Sequence, residues 1–240
     1  MQYNGREYHF QETADARTGG RAVCRLLSGF SQRRSLRYLT AVPFDLKTSA
    51  ARIFVAITPP PAVIARLEQF QKGLQAEMGF TAVNWQAPEK AHLTLCFLGP
   101  VEATRLHVLE ADLLTACLDE TPFAIQCSGR GAFPSIRHPK IFWVGLGGEL
   151  TRLFALQAKI GVTCARFVES SDRYSFSPHV TLATIKTGSP RELNRLSAAY
   201  TQAAFEPTSP WPIDGIEIFE SHLSPQGARH ERIARVAFPG

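Results

Sequence analysis

Two short stretches of this 240-residue chain carry residue types suited to acid–base chemistry. They are His92-Leu93-Thr94-Leu95 and His179-Val180-Thr181-Leu182, two copies of a His-x-Thr-Leu pattern 87 residues apart. An unperturbed imidazole titrates near about 6.5, so near neutral pH one of two histidines can be neutral while the other is protonated. One ring can then take a proton from water while the other gives one to a leaving oxygen. The threonine hydroxyls can donate to oxygens that gain negative charge in the transition state, such as the non-bridging oxygens of a phosphate. This scheme needs no covalent intermediate, metal or cofactor. The sequence holds no His-Glu-x-x-His, no acidic cluster beside either histidine and no Cys-x-x-Cys pair that would suggest metal ligation.

The two copies must be brought together by the elements that carry them. Both lie in short apolar runs that read as strands. Residues i and i+2 of a strand share a face, about 6.6 Å apart. His92 and Thr94 therefore share one face, and His179 and Thr181 share another. Leu93, Leu95, Val180 and Leu182 point the opposite way, into a core. Further strands are expected at 53–57, 83–85, 123–127, 141–146, 213–219 and 233–238. Apolar residues at helical spacing mark helices around Leu67/Phe70/Leu74, Leu106/Leu109/Leu113/Cys117, Leu150/Leu153/Leu156/Ile160 and Leu193/Leu196/Tyr200. Thr58 is a candidate cap for the first helix, ahead of prolines tolerated at a helix start. Strand, helix and histidine-bearing strand recur in the two halves of the chain. That recurrence predicts an α+β fold of two pseudo-symmetric lobes, each an antiparallel sheet flanked by helices, with a cleft between them.

Composition narrows the setting. Residues 1–50 hold eight Lys/Arg against four acids, so the first 50 residues supply +4 of the net +5. That segment lacks sustained periodicity and reads as a disordered basic extension, a targeting peptide or a stretch upstream of the natural product. The remaining chain, near charge balance, is not a broad basic nucleic-acid surface, so any nucleic acid is expected to be held at an end or a short single strand. No apolar run approaches the roughly 20 residues of a membrane helix. The five scattered cysteines suit a reducing, cytoplasmic compartment. Cys96 and Cys127 lie in apolar runs and read as small core residues. No membrane and no obligate protein partner is indicated.

From Arg52 to the end, the ordered set of motifs resembles the two-histidine phosphoesterase superfamily, and within it the RNA 2',3'-cyclic phosphodiesterases formerly called 2'-5' RNA ligases. The set comprises Arg52-Ile53-Phe54-Val55-Ala56-Ile57, Trp85, Ala91 to Gly99, Gly131-Ala132-Phe133-Pro134, Trp143-Val144-Gly145, Phe176 to Ala183, Phe219-Glu220-Ser221, Gly227 and Ala228-Arg229-His230. The resemblance implies hydrolysis of 2',3'-cyclic phosphate ends of RNA to a 2'-phosphate. In it His92 is the proton donor to the departing 3' oxygen, His179 is the acceptor from water, and Thr94 and Thr181 hold the phosphate. The same groups could support reversible 2'-5' ligation. A 2'-5'-linked oligonucleotide or a cyclic ADP-ribose phosphate is an alternative substrate, and a non-catalytic RNA-end-binding module is a reading from another class.

The chain departs from the family pattern at Thr184 and Tyr174, where many members carry arginine. Arg173, Lys186 and Arg229 are the candidate replacement cations. Phe133 and Phe176 are candidate stacking partners for a terminal base. Trp143 reads as core packing and His107 as a surface residue. His222 reads as structural, while His138 and His230 fall near loops or strand ends. The family often has an aromatic residue at the His230 position.

Overall fold

The structure is a computed structural model that describes residues 50–78, 83–168, 176–186, 188–224 and 227–239. The expectation for residues 1–50 therefore falls almost wholly outside the described residues.

The strands form two antiparallel sheets. One contains β1 (Ala50–Ile57), β3 (Leu93–Glu102), β8 (Gly215–Ser224) and β9 (Gly227–Ala237), in the order β3-β1-β8-β9. The other contains β2 (Val83–Trp85), β4 (Phe123–Ser135), β5 (His138–Gly148), β6 (His179–Ile185) and β7 (Trp211–Ile213), in the order β2-β6-β5-β4-β7. Each sheet has one face covered by helices. Helices α2 (Leu106–Ala116) and α3 (Leu150–Cys164) pack together on the four-stranded sheet, and the Gln157 amide donates to the Leu95 carbonyl at 3.2 Å. Helices α1 (Pro61–Met78) and α4 (Pro190–Gln202) pack on the five-stranded sheet. There the Gln71 amide donates to the carbonyls of Leu182 and Gln86, both at 2.9 Å.

This is the expected α+β architecture of two helix-flanked antiparallel sheets, but the lobes are not successive halves of the chain. The chain crosses between sheets repeatedly: β2 joins the sheet of β6, and the two C-terminal strands return to the sheet of β1 and β3. The crossing at Asp214 also divides the single strand expected at 213–219 into β7 and β8, one in each sheet. Gly215 permits that crossing, because a Cβ there would lie 2.5 Å from the Val236 carbonyl oxygen.

Local sequence explains the helix starts unevenly. Ser189 and Glu192 form a reciprocal capping box, with Pro190 in the first turn of α4. Thr58 does not cap α1. Its hydroxyl donates to the buried Glu217 carboxylate, and the first α1 amides bond the Pro60 carbonyl instead. The two motif strands are anchored from behind. Leu93, Leu95, Val180 and Leu182 are each at most 3% exposed, and fully burying a side chain of this size contributes about 1.5–3 kcal/mol.

Candidate active site

Strand alternation puts His92 and Thr94 on the uncovered face of the four-stranded sheet, and His179 and Thr181 on the uncovered face of the five-stranded one. All four are half-buried, while the intervening leucines and valine are buried. Strands β3 and β6 lie against one another, which brings both copies to one cleft.

Each histidine is fixed by the same local device. His92 Nδ1 lies 2.7 Å from the Lys90 carbonyl oxygen, and His179 Nδ1 lies 2.6 Å from that of Ser177. A carbonyl only accepts, so Nδ1 of each ring carries the hydrogen, and the neutral ring keeps its lone pair on Nε2. The arrangement supplies two Nε2 atoms able to exchange protons with a bound molecule.

Burial lowers the proton affinity of both rings below the usual histidine value, and the carbonyl bond to each partly offsets it. His92 is lowered further by the charge of His179.

The walls around the rings differ. On the four-stranded side the His92 ring lies 5.0 Å from that of Phe54 and 5.4 Å from that of His230. His230 pairs with Ser221 across β8 and β9, and its proton affinity is lowered by burial and by the charges of His92 and Lys90. On the five-stranded side the Phe133 ring is 4.9 Å from His179 and the Trp143 ring 6.2 Å. Two glycines make that floor possible. Gly131 lies opposite Trp143, and a Cβ there would collide with the indole. Gly145 lies opposite His179, and a Cβ there would lie 2.9 Å from the Ser128 carbonyl oxygen.

The structure sorts the other candidates. Phe133 is at the site. Trp143, expected in the core, also lines it, because its place opposite Thr181 turns it to the open face. Phe176 packs on Phe154 of α3, with ring centroids 5.6 Å apart. Arg229 is excluded by alternation, since it neighbours His230 and so points to the opposite face, where it pairs with Glu231 at 2.9 Å. Lys186 follows the far end of β6, seven residues past His179, roughly 23 Å along the strand. Arg173 and Tyr174 lie outside the described residues.

Thr184 is on the cleft face. A β-bulge at Leu182 and Ala183 reverses the alternation, so Thr184 pairs with Ile141 and its hydroxyl accepts from the Asn84 amide at 3.4 Å. Sequence reasoning missed Phe54 and Lys90 as neighbours of the site. The residue alternation of 52, 54 and 56 was available, but the pairing that sets β1 beside β3 was not. Among the described residues, no three His, Cys, Asp or Glu side chains cluster as metal ligands, and no helix is long and apolar enough to cross a membrane.

Two sheets facing one cleft, each presenting a His-x-Thr pair, define a two-histidine site on an α+β scaffold. The family model described as LigT like phosphoesterase matches residues 57–143 and 149–230. The chain belongs to that family. An Archaeoglobus fulgidus relative named RNA 2',3'-cyclic phosphodiesterase is 30% identical over 182 residues, which are 73% of this chain and 94% of the relative. An Aquifex aeolicus relative of the same name is 29% identical over 124 residues, 51% of this chain and just under two thirds (65%) of the relative's own length. Among solved structures, one from Thermus thermophilus superposes with a TM-score of 0.61 at 24% identity, covering 78% of this chain and 97% of that one. Apo E. coli LigT gives 0.59 at 20% identity, covering 80% and 100%. At these identities the structural matches speak for the fold.

Proposed function

We propose that the chain hydrolyses 2',3'-cyclic phosphate ends of RNA to a 2'-phosphate by metal-free acid–base catalysis. The observation that carries this reading is the duplicated Nδ1–carbonyl bond, which leaves two Nε2 atoms, one per sheet, to serve a single displacement. The names of the relatives supply the substrate class.

Water attacks the phosphorus and passes a proton to Nε2 of His179. The P–O3' bond breaks, and the 3' oxygen leaves with the proton from Nε2 of His92. The Thr94 and Thr181 hydroxyls donate to the non-bridging oxygens, whose negative charge grows as the displacement proceeds. His92 suits the donor role because its side of the cleft also holds His230 and Lys90, where charge on a departing oxygen is best stabilised. His179, floored by Phe133 and Trp143, suits the acceptor role. A bound phosphate anion restores the proton affinity that burial removes from the donor. A 5'-hydroxyl in place of water would run the same steps toward a 2'-5' linkage.

The test is an oligonucleotide bearing a 2',3'-cyclic phosphate, incubated with the protein and mapped for its product end. A 2'-phosphate is expected. A 3'-phosphate, or no turnover, would overturn the assignment.

A further inference from the structure

The uncovered face of the four-stranded sheet carries a feature that the two-histidine chemistry does not use. Phe97 is 53% exposed there, on the same strand as Thr94. Two bulges in β3 set its pairing with Phe54, the buried ring that touches His92, and the two phenyl planes lie 16° apart with centroids 6.4 Å apart. Phe97 therefore sits about 10 Å along the strand from Thr94, on the site's own face. The Arg52 guanidinium lies over the Phe97 ring, 5.6 Å from its centroid.

Arg52 differs from the other arginines of this sheet. Arg229, Arg232 and Arg235 are paired with Glu231, Glu217 and Asp214 at 2.9, 2.5 and 2.7 Å. Arg52 has no carboxylate within ion-pair distance among the described residues. A partly exposed aromatic ring in contact with an unneutralised guanidinium offers single-stranded nucleic acid a stacking surface for a base and a cation for the phosphate next to it. The patch is continuous with the site through Phe54.

We infer that this face holds the RNA chain leading to the cyclic end: the base preceding the terminal nucleotide stacks on Phe97, and Arg52 meets the adjoining phosphodiester. This rests on the proposed reaction and adds a preference for a chain over a free nucleotide.

The experiment compares kcat/KM for a nucleoside 2',3'-cyclic monophosphate and a short oligoribonucleotide with a 2',3'-cyclic end. Phe97→Ala should lower the oligonucleotide value about tenfold, through KM, and leave the mononucleotide nearly unchanged. Phe97→Tyr should restore it. Arg52→Gln should lower the salt dependence of oligonucleotide binding by about one unit of slope. Equal losses on both substrates would mean that Phe97 acts only by propping Phe54 and His92, and would overturn the proposal, as would no loss on either. A shift from dimer to monomer in Phe97→Ala, with RNA kinetics unchanged, would assign the face to a second copy of the chain instead. If the unaltered protein turns over neither substrate, the proposed reaction fails. Binding of an uncleavable oligonucleotide, measured by anisotropy, then decides the surface alone: weaker binding by Phe97→Ala supports it, and equal binding overturns it.

Discussion

His92 and His179 are held by the same local device, an Nδ1–H bond to the carbonyl two residues back, yet their surroundings differ. His92 lies against Phe54 and a third imidazole, His230, with Lys90 nearby. His179 lies over Phe133 and Trp143, with small glycines beneath. A duplicated motif thus fixes tautomer and orientation twice, while the walls differ in the way the proposed donor and acceptor roles require. Burial lowers the proton affinity of both rings, and the charge of His179 lowers His92 further. A phosphate anion between the rings offsets that repulsion and makes the proposed donor competent. For a coupled pair the two proton arrangements give the same bell-shaped profile, so roles are separated by leaving groups.

The largest effects should come from the imidazoles. His92→Ala and His179→Ala should each reduce turnover of a cyclic phosphate by roughly 10²–10⁴, with folding retained by circular dichroism. The double variant should be little worse than either single one. On a phosphodiester with a phenolate leaving group, which departs without a proton, His92→Ala should regain most of its loss and His179→Ala should not. The opposite pattern would exchange the two roles.

Smaller losses are expected at the hydroxyls. Thr94→Ala and Thr181→Ala each remove a hydrogen bond to a charged group, about 1.5–3 kcal/mol, or roughly 10- to 150-fold in turnover. A loss confined to one threonine would show that only one wall holds the phosphate.

The pH dependence of kcat/KM should be bell-shaped, with its optimum below the ordinary histidine value of 6.5, because burial lowers both rings in the free protein. The optimum for kcat should lie higher, because the bound anion favours the protonated ring. A kcat/KM optimum clearly above 7 would contradict the burial argument.

Stability should respond more weakly. His92, His179 and His230 all hold protons less readily when folded, so the unfolded chain binds more protons as pH falls through about 6.5. Stability contributed by the neutral buried rings is present above that pH and lost below it. The melting temperature should fall between pH 7 and 5.5, and replacing His92 and His179 by Asn should flatten that slope. Excess chelator should have no effect on turnover, and loss rescued by a divalent ion would refute the metal-free reading.

What could be read from residues alone was whatever depends on neighbours in the chain. The repeat of His-x-Thr-Leu, its alternation on a strand and the apolar stripes of the helices are local patterns. They were enough to pair His92 with Thr94 and His179 with Thr181, and to anticipate two helix-flanked antiparallel sheets. Tertiary structure decided everything that depends on pairing between distant strands. The register of β1 with β3 put Phe54 beside the site and Arg52 against Phe97, and that of β5 with β6 turned Trp143 out of the core. The return of β9 brought in His230 and sent Arg229 to the other face. The bulge at Leu182 and Ala183 kept Thr184 on the cleft side. A one-residue shift in register moves a side chain to the opposite face of a sheet, and no local pattern in the chain records which strand will lie alongside.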